Sequence, residues 1–69
     1  MHTKIKEYRK RKGLIQQQLA ELVGVTRQTI NALENGHYNP SLILAHNISE
    51  TLGSKHIEDI FIFDEEEEE

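Results

Sequence analysis

Four glycines constrain this chain more than any other feature: Gly13, Gly24, Gly36 and Gly53 each close a segment whose apolar residues recur at helical spacing. Helices commonly end on a residue in the left-handed conformation, which is cheapest without a Cβ. Four such stops predict about five short helices and an all-α domain. The first segment repeats Ile5, Tyr8, Arg9 and Lys12; the second Leu19, Leu22 and Val23 with Ala20 between; the third Ile30, Leu33 and Glu34; the fourth Leu42, Ala45, Ile48 and Leu52. These stripes are the expected core. Thr26 before the third segment, Ser41 before the fourth, and Ser54 or His56 before the fifth mark the starts, all but His56 being good N-cap types. Period-two alternation is absent until "IEDIFIFDE", where Ile60 to Phe63 reads either as a short C-terminal strand or as the frayed end of a fifth helix.

At 69 residues there is room for one domain, expected over residues 1–63, followed by an acidic tail at 64–69. The formal net charge of −4 misleads, because Asp64 and Glu65 to Glu69 supply six of the twelve acids. The remaining body carries eight Lys and Arg against six acids, and six of those bases (Lys4, Lys6, Arg9, Lys10, Arg11, Lys12) fall in the first twelve residues. A one-sided basic distribution suits a polyanionic partner. The absence of cysteine argues against a disulfide framework or a thiolate zinc site. The start "MHTKIKEYRK" lacks the apolar core of a signal peptide, and "IFIF" is far short of a membrane span. A soluble, cytoplasmic protein with no membrane association is expected.

The central stretch "QQQLAELVGVTRQTINALEN" reads as one unit. Ala20 is small where a second helix must approach, Gly24 sits four residues later in a tight turn, and Val25, Ile30 and Leu33 would hold the second helix against the first. That is a helix-turn-helix. With both flanks included, "YRKRKGLIQQQLAELVGVTRQTINALENGHYNPSL" followed by "LGSKHIEDIF" resembles the lambda repressor and Cro-like helix-turn-helix domains, often called the xenobiotic response element family. The resemblance runs from about Ile5 to Phe61. It implies a five-helix DNA-binding domain whose third helix enters the major groove of double-stranded DNA, commonly as a homodimer on a palindromic operator. Two residues depart from the family pattern: Ile15 stands where Ser or Thr commonly caps the second helix, and His37 where Lys is common.

Placed on that frame, Arg27 and Gln28 open the third helix with side chains suited to guanine O6/N7 and adenine N6/N7. Thr29 can meet a thymine methyl or a phosphate, and Asn31, one turn further along, is a lesser base-reading candidate. By the resemblance Gln16 and Asn35 contact phosphates on either side of the reading helix, positioning rather than specifying. Thr26, His37, Lys10 and Lys12 complete the expected phosphate set, with Thr26 also serving as helix cap. Arg9 and Glu34 lie on inward stripes, and the family often joins these two positions in a partly buried structural ion pair. Ile57 and the run Ile60, Phe61, Ile62 and Phe63 are the expected dimer interface: an extended run would turn Ile60 and Ile62 to one side and Phe61 and Phe63 to the other.

Catalysis and metal binding find no motif. His2, His37, His46 and His56 are scattered, without a metalloprotease His pair, a serine elbow or a glycine-rich phosphate loop, so no enzyme activity, metal or cofactor is expected. The function expected is a sequence-specific transcriptional regulator, a simple repressor. The alternative is a protein-interaction module, such as an antitoxin that binds a toxin while autoregulating its operon, which a toxin-like neighbouring reading frame would favour.

Overall fold

A computed structural model describes residues 1–63, and four α-helices occupy the expected segments: α1 Ile5–Arg11, α2 Gln16–Val23, α3 Arg27–Glu34 and α4 Leu42–Thr51. Thr26 caps α3 by accepting from the Thr29 N–H at 3.2 Å, and Ser41 caps α4 by accepting from the Leu44 N–H at 3.1 Å. Gly24, at φ 79°, closes α2, and beside it the Val25 N–H reaches back to the Ala20 carbonyl at 3.0 Å. The tight turn that follows delivers the chain to α3. Ile5, Leu19, Ala20, Ile30, Leu33, Ala45, Ile48 and Leu52 form the core, with Val23 and Val25 packed at its edge. None of these helices is long and apolar enough to cross a membrane.

Three residues of the expected stripes turn outward: Leu22, Leu42 and, just past the end of α1, Lys12. Leu22 and Leu42 are exposed, because the buried face of α2 centres on Leu19 and Ala20 and that of α4 on Ala45, Ile48 and Ser49. A position at the edge of such a stripe shares its spacing without its burial.

The fifth helix is replaced by a single 3-10 turn, Ile57–Asp59, and the domain is therefore mostly helical rather than all-α. Ser54 does not cap it as an N-cap; its hydroxyl braces the segment, lying 2.9 Å from Asp59 Oδ2 and accepting from the His56 N–H at 3.3 Å. After Ile60 the β-branched and aromatic residues favour extension. Phe61–Ile62 forms strand β2, pairing antiparallel with strand β1, His2–Thr3, in the register His2 with Ile62 and Thr3 with Phe61. The Lys4 N–H extends the ladder to the Ile60 carbonyl at 2.8 Å.

That pairing corrects the expected alternation. Ile60 closes the 3-10 turn in an α-helical conformation, so it and Phe61 both face the core, at 0% and 1% exposure. Ile57 and Ile62 are half-buried, and Phe63 is exposed. Ile60 and Phe61 therefore belong to the interior of the domain rather than to an exposed face. The acidic tail expected at 64–69 lies outside the described residues.

β1 also holds the end of α3. The Thr3 hydroxyl donates to the Leu33 carbonyl at 3.2 Å, and the Met1 carbonyl lies against Gly36, at φ 72°, where a Cβ would collide with it. A glycine is required there by contact as well as by conformation.

At the start of α2, Ile15 supplies no side-chain acceptor, as its residue type dictates. Half of a capping box survives, since the Gln18 side-chain oxygen accepts from the Ile15 N–H at 2.9 Å. Replacing the exposed Ile15 with Thr restores the missing half, and chemical denaturation should show a gain of about 1 kcal/mol. No change, or a loss, would mean that Ile15 packs in a way its exposure conceals.

Candidate nucleic-acid interface

The turn between α2 and α3 leaves one edge of α3 facing solvent. Arg27, Gln28 and Asn31 are exposed along it, and the Gln28 side chain has no hydrogen-bond partner among the described residues. Thr29 is half-buried and its hydroxyl lies 3.1 Å from that of Thr26, so the structure places it inside the helix cap rather than on the open edge. Asn35 ends α3 and its side-chain amide donates to the Asn31 carbonyl at 3.0 Å. Exposed His37 follows, its backbone N–H closing the helix on the Ala32 carbonyl at 2.9 Å.

Beneath this edge sits the Arg9–Glu34 pair. Arg9 Nε donates to Glu34 Oε2 at 2.7 Å and Nη2 to Oε1 at 3.3 Å, with only 9% and 6% of the two side chains exposed. The guanidinium's third contact is the Leu14 carbonyl, 2.9 Å from Nη1, which ties the α1–α2 turn into the same site. Two parallel bonds fix orientation as well as distance.

From Glu34 the hydrogen bonds continue to the surface. Gln16, the first residue of α2, donates from Nε2 to Glu34 Oε1 at 3.0 Å and to Asn31 Oδ1 at 3.2 Å. Its Oε1 accepts from Arg27 Nη1 at 3.2 Å. Gln16, Arg27 and Asn31 thus meet at the junction of the two helices. Lys10 is exposed on α1, whereas Lys12 runs toward Gly53 at the end of α4, where an added Cβ would lie 3.1 Å from its Nζ. Arg11 lies over the Tyr8 ring, 4.9 Å from its centroid.

Sequence reasoning missed Gln18, Thr3 and Met1. Gln18 carried a signal, standing three residues after the cap position. Thr3 carried none, since its partner Leu33 is thirty residues away.

Two consecutive helices joined by a tight turn, the second with a polar edge open to solvent and the first with its N-terminus beside it, define a helix-turn-helix DNA-binding domain. A family model described as helix-turn-helix matches residues 5–60. The chain belongs to this family, the lambda repressor and Cro-like group that its residues resemble. Its relatives include a protein of Methanothermobacter thermautotrophicus, 67% identical over 96% of both chains. One of Archaeoglobus fulgidus is 57% identical over 97% of this chain and 93% of its own length. YgzD of Bacillus subtilis is 50% identical over 96% of this chain and 98% of its own. Each of the three is described as an uncharacterized HTH-type transcriptional regulator.

Removing Glu34 would leave the Arg9 charge buried with one carbonyl partner. Glu34→Ala should therefore cost about 3 kcal/mol in chemical denaturation, and the double change Arg9→Met with Glu34→Leu should recover much of that loss. A single mutant as stable as the parent would mean that the pair has little hold on the fold.

Proposed function

We propose that this protein is a sequence-specific regulator of transcription, acting in the cytoplasm as a repressor that binds a palindromic operator as a homodimer. α3 lies in the major groove. Arg27 and Gln28 read bases, Asn31 and the Thr29 methyl contribute at the margin, and Asn35, Thr26, His37 and Lys10 contact the phosphates. The observation that carries this reading is the open polar edge of α3, fixed to the core at Glu34 yet leaving Gln28 uncommitted. The N-terminus of α2 adds backbone N–H groups and a dipole favourable to a phosphate. The relatives' description as transcriptional regulators agrees.

Binding-site selection followed by competition titration tests it. Arg27→Ala or Gln28→Ala should cost about 1 to 3 kcal/mol on the selected site and relax preference at one base pair, while Asn35→Ala should weaken all sequences alike. Equal weakening of selected and random DNA by Arg27→Ala and Gln28→Ala would refute base reading.

The homodimer rests on a different surface. A groove of about 290 Å³, lined by Met1, Asn39, Pro40, Leu42, Ala45, Ile57, Phe61 and Phe63, is mostly apolar and carries no charged side chain. Leu42 and Phe63 stand 76% and 65% exposed at its walls. A second copy is the natural occupant, because a twofold contact lets the Phe63 of each subunit enter the groove of the other. Ile57 and Ile62 flank the contact, and Ile60 and Phe61 support it from beneath. Such a dimer would set two α3 helices about 34 Å apart, one turn of DNA. Sedimentation at tens of micromolar should give a dimer for the parent and a monomer for Leu42→Glu with Phe63→Glu, both changes lying outside the core. A parent that sediments as a monomer, or a double mutant with unchanged operator affinity and stoichiometry, would overturn it.

A further inference from the structure

Buried polar side chains are almost always hydrogen-bonded, and one in this domain is not. Ser49 lies within α4 at 2% exposure, and its Oγ has no partner among the described residues. A serine in mid-helix turns its hydroxyl to solvent or to the carbonyl four residues back, and this one does neither. The nearby Ser54 shows a satisfied arrangement, accepting from the His56 N–H and lying within 3.0 Å of the His56 carbonyl and 2.9 Å of Asp59 Oδ2. Ser49 forms part of the wall of a cavity of about 540 Å³ between α4 and the 3-10 turn, to which α3 contributes no residue. That volume lies within the range of small-molecule sites.

The charged groups of that wall carry both signs. Glu50 stands on the last turn of α4 with its Oε2 3.4 Å from His46 Nε2, and Lys55 follows beyond the end of the helix. A second ammonium arrives with Lys12, whose Nζ would lie 3.1 Å from a Cβ on Gly53, itself part of the wall. The backbone offers little there, since the Gly53 N–H is bonded to the Glu50 carbonyl at 3.0 Å and the Ser54 N–H to the Ser49 carbonyl at 2.9 Å. Recognition therefore falls to side chains, with Ile57 as the apolar surface. A simple anion would meet like charge at Glu50, and a simple cation would meet it at the two lysines. We propose that this cavity binds a small zwitterion, a free α-amino acid. Its carboxylate pairs with Lys55 and Lys12, its ammonium with Glu50, and its side chain lies over Ile57, while the Ser49 hydroxyl donates to the carboxylate. Such a ligand answers both signs of charge and the one hydroxyl that the fold leaves over. Ile57 also lines the apolar groove proposed to seat a second copy, so the ligand lies across one side chain from that contact.

The standard amino acids are titrated singly into the full-length protein while backbone amide NMR signals are followed, with propionate and propylamine as probes that carry one charge each. At least one amino acid should saturate with a dissociation constant of about 1 mM or tighter and shift the amides of residues 46–57. The two single-charge probes should bind about tenfold more weakly. Glu50→Gln and Lys55→Gln, both at exposed positions, should each weaken the amino acid about fivefold, and Ser49→Ala, which removes only the buried hydroxyl, should do the same. Failure of every amino acid to saturate would overturn the proposal, since a cavity holding only water would satisfy Ser49 equally. Propionate binding as tightly as the best amino acid would reduce the cavity to an anion site and overturn it too. Parental affinity in all three variants would place the binding elsewhere, with the same result. None of these readouts involves DNA, so their failure leaves the DNA-reading function standing.

Discussion

One buried carboxylate organises this domain. Glu34 receives two bonds from Arg9 on α1 and one from Gln16 on α2, and belongs itself to α3, while Arg9 also reaches the carbonyl of Leu14 between α1 and α2. Three helices and a turn therefore share one hub. Burying two charges gains little stability over an apolar pair of similar volume, because desolvation offsets most of the attraction. The return is geometric. Apolar stripes alone would let α2 and α3 slide by fractions of a turn, whereas a forked pair with each bond near 3 Å admits one arrangement.

The same C-terminal end of α3 is also held by the N-terminal residues and the C-terminal strand. Thr3 bonds the Leu33 carbonyl, and the Met1 carbonyl rests on Gly36. A two-residue strand has little stability of its own. β1 persists because its partner β2 is anchored by Phe61, with Ile60 just before it, and both are buried among the helices. A small domain has few core residues to share among its elements, and here the two aromatic and aliphatic residues that end the fold also hold the strand that steadies α3.

What the sequence made legible follows from the range over which each feature is encoded. The helices, the caps at Thr26 and Ser41, and the exposed edge with Arg27, Gln28 and Asn31 depend on residues three or four apart, and local spacing located them. Leu22 and Leu42 share that spacing yet face outward, since periodicity defines a stripe but not which neighbour covers its margin. The end of the chain was legible only in part: an extended segment was one of two readings, but its pairing with β1 joins residues at opposite ends of the sequence. The inward turn of both Ile60 and Phe61 depends on a single helical residue between the turn and the strand. In the candidate site, residue positions were visible and hydrogen-bond direction was not. Which end of the Gln16 amide faces inward is decided by Glu34, eighteen positions away.

These two anchorages divide the surface by mobility as well as by chemistry. With Leu33, Glu34 and Gly36 all held at the C-terminal end of α3, the backbone there has little room to shift, and adaptation to a DNA sequence falls mainly to side chains. Gln28 is exposed with no side-chain hydrogen bond among the described residues, whereas Arg27 and Asn31 begin from defined hydrogen bonds. The C-terminal segment carries the same rigidity toward the apolar groove, because Phe63 follows β2 directly and β2 pairs with the strand that touches α3. In the dimer proposed above, a second copy seated at Phe63 would be separated from α3 by two short hydrogen-bonded links and no flexible linker. Spacing between two reading helices would then be a property of the folded core, and mismatch with an operator would have to be absorbed by bending the DNA rather than the protein.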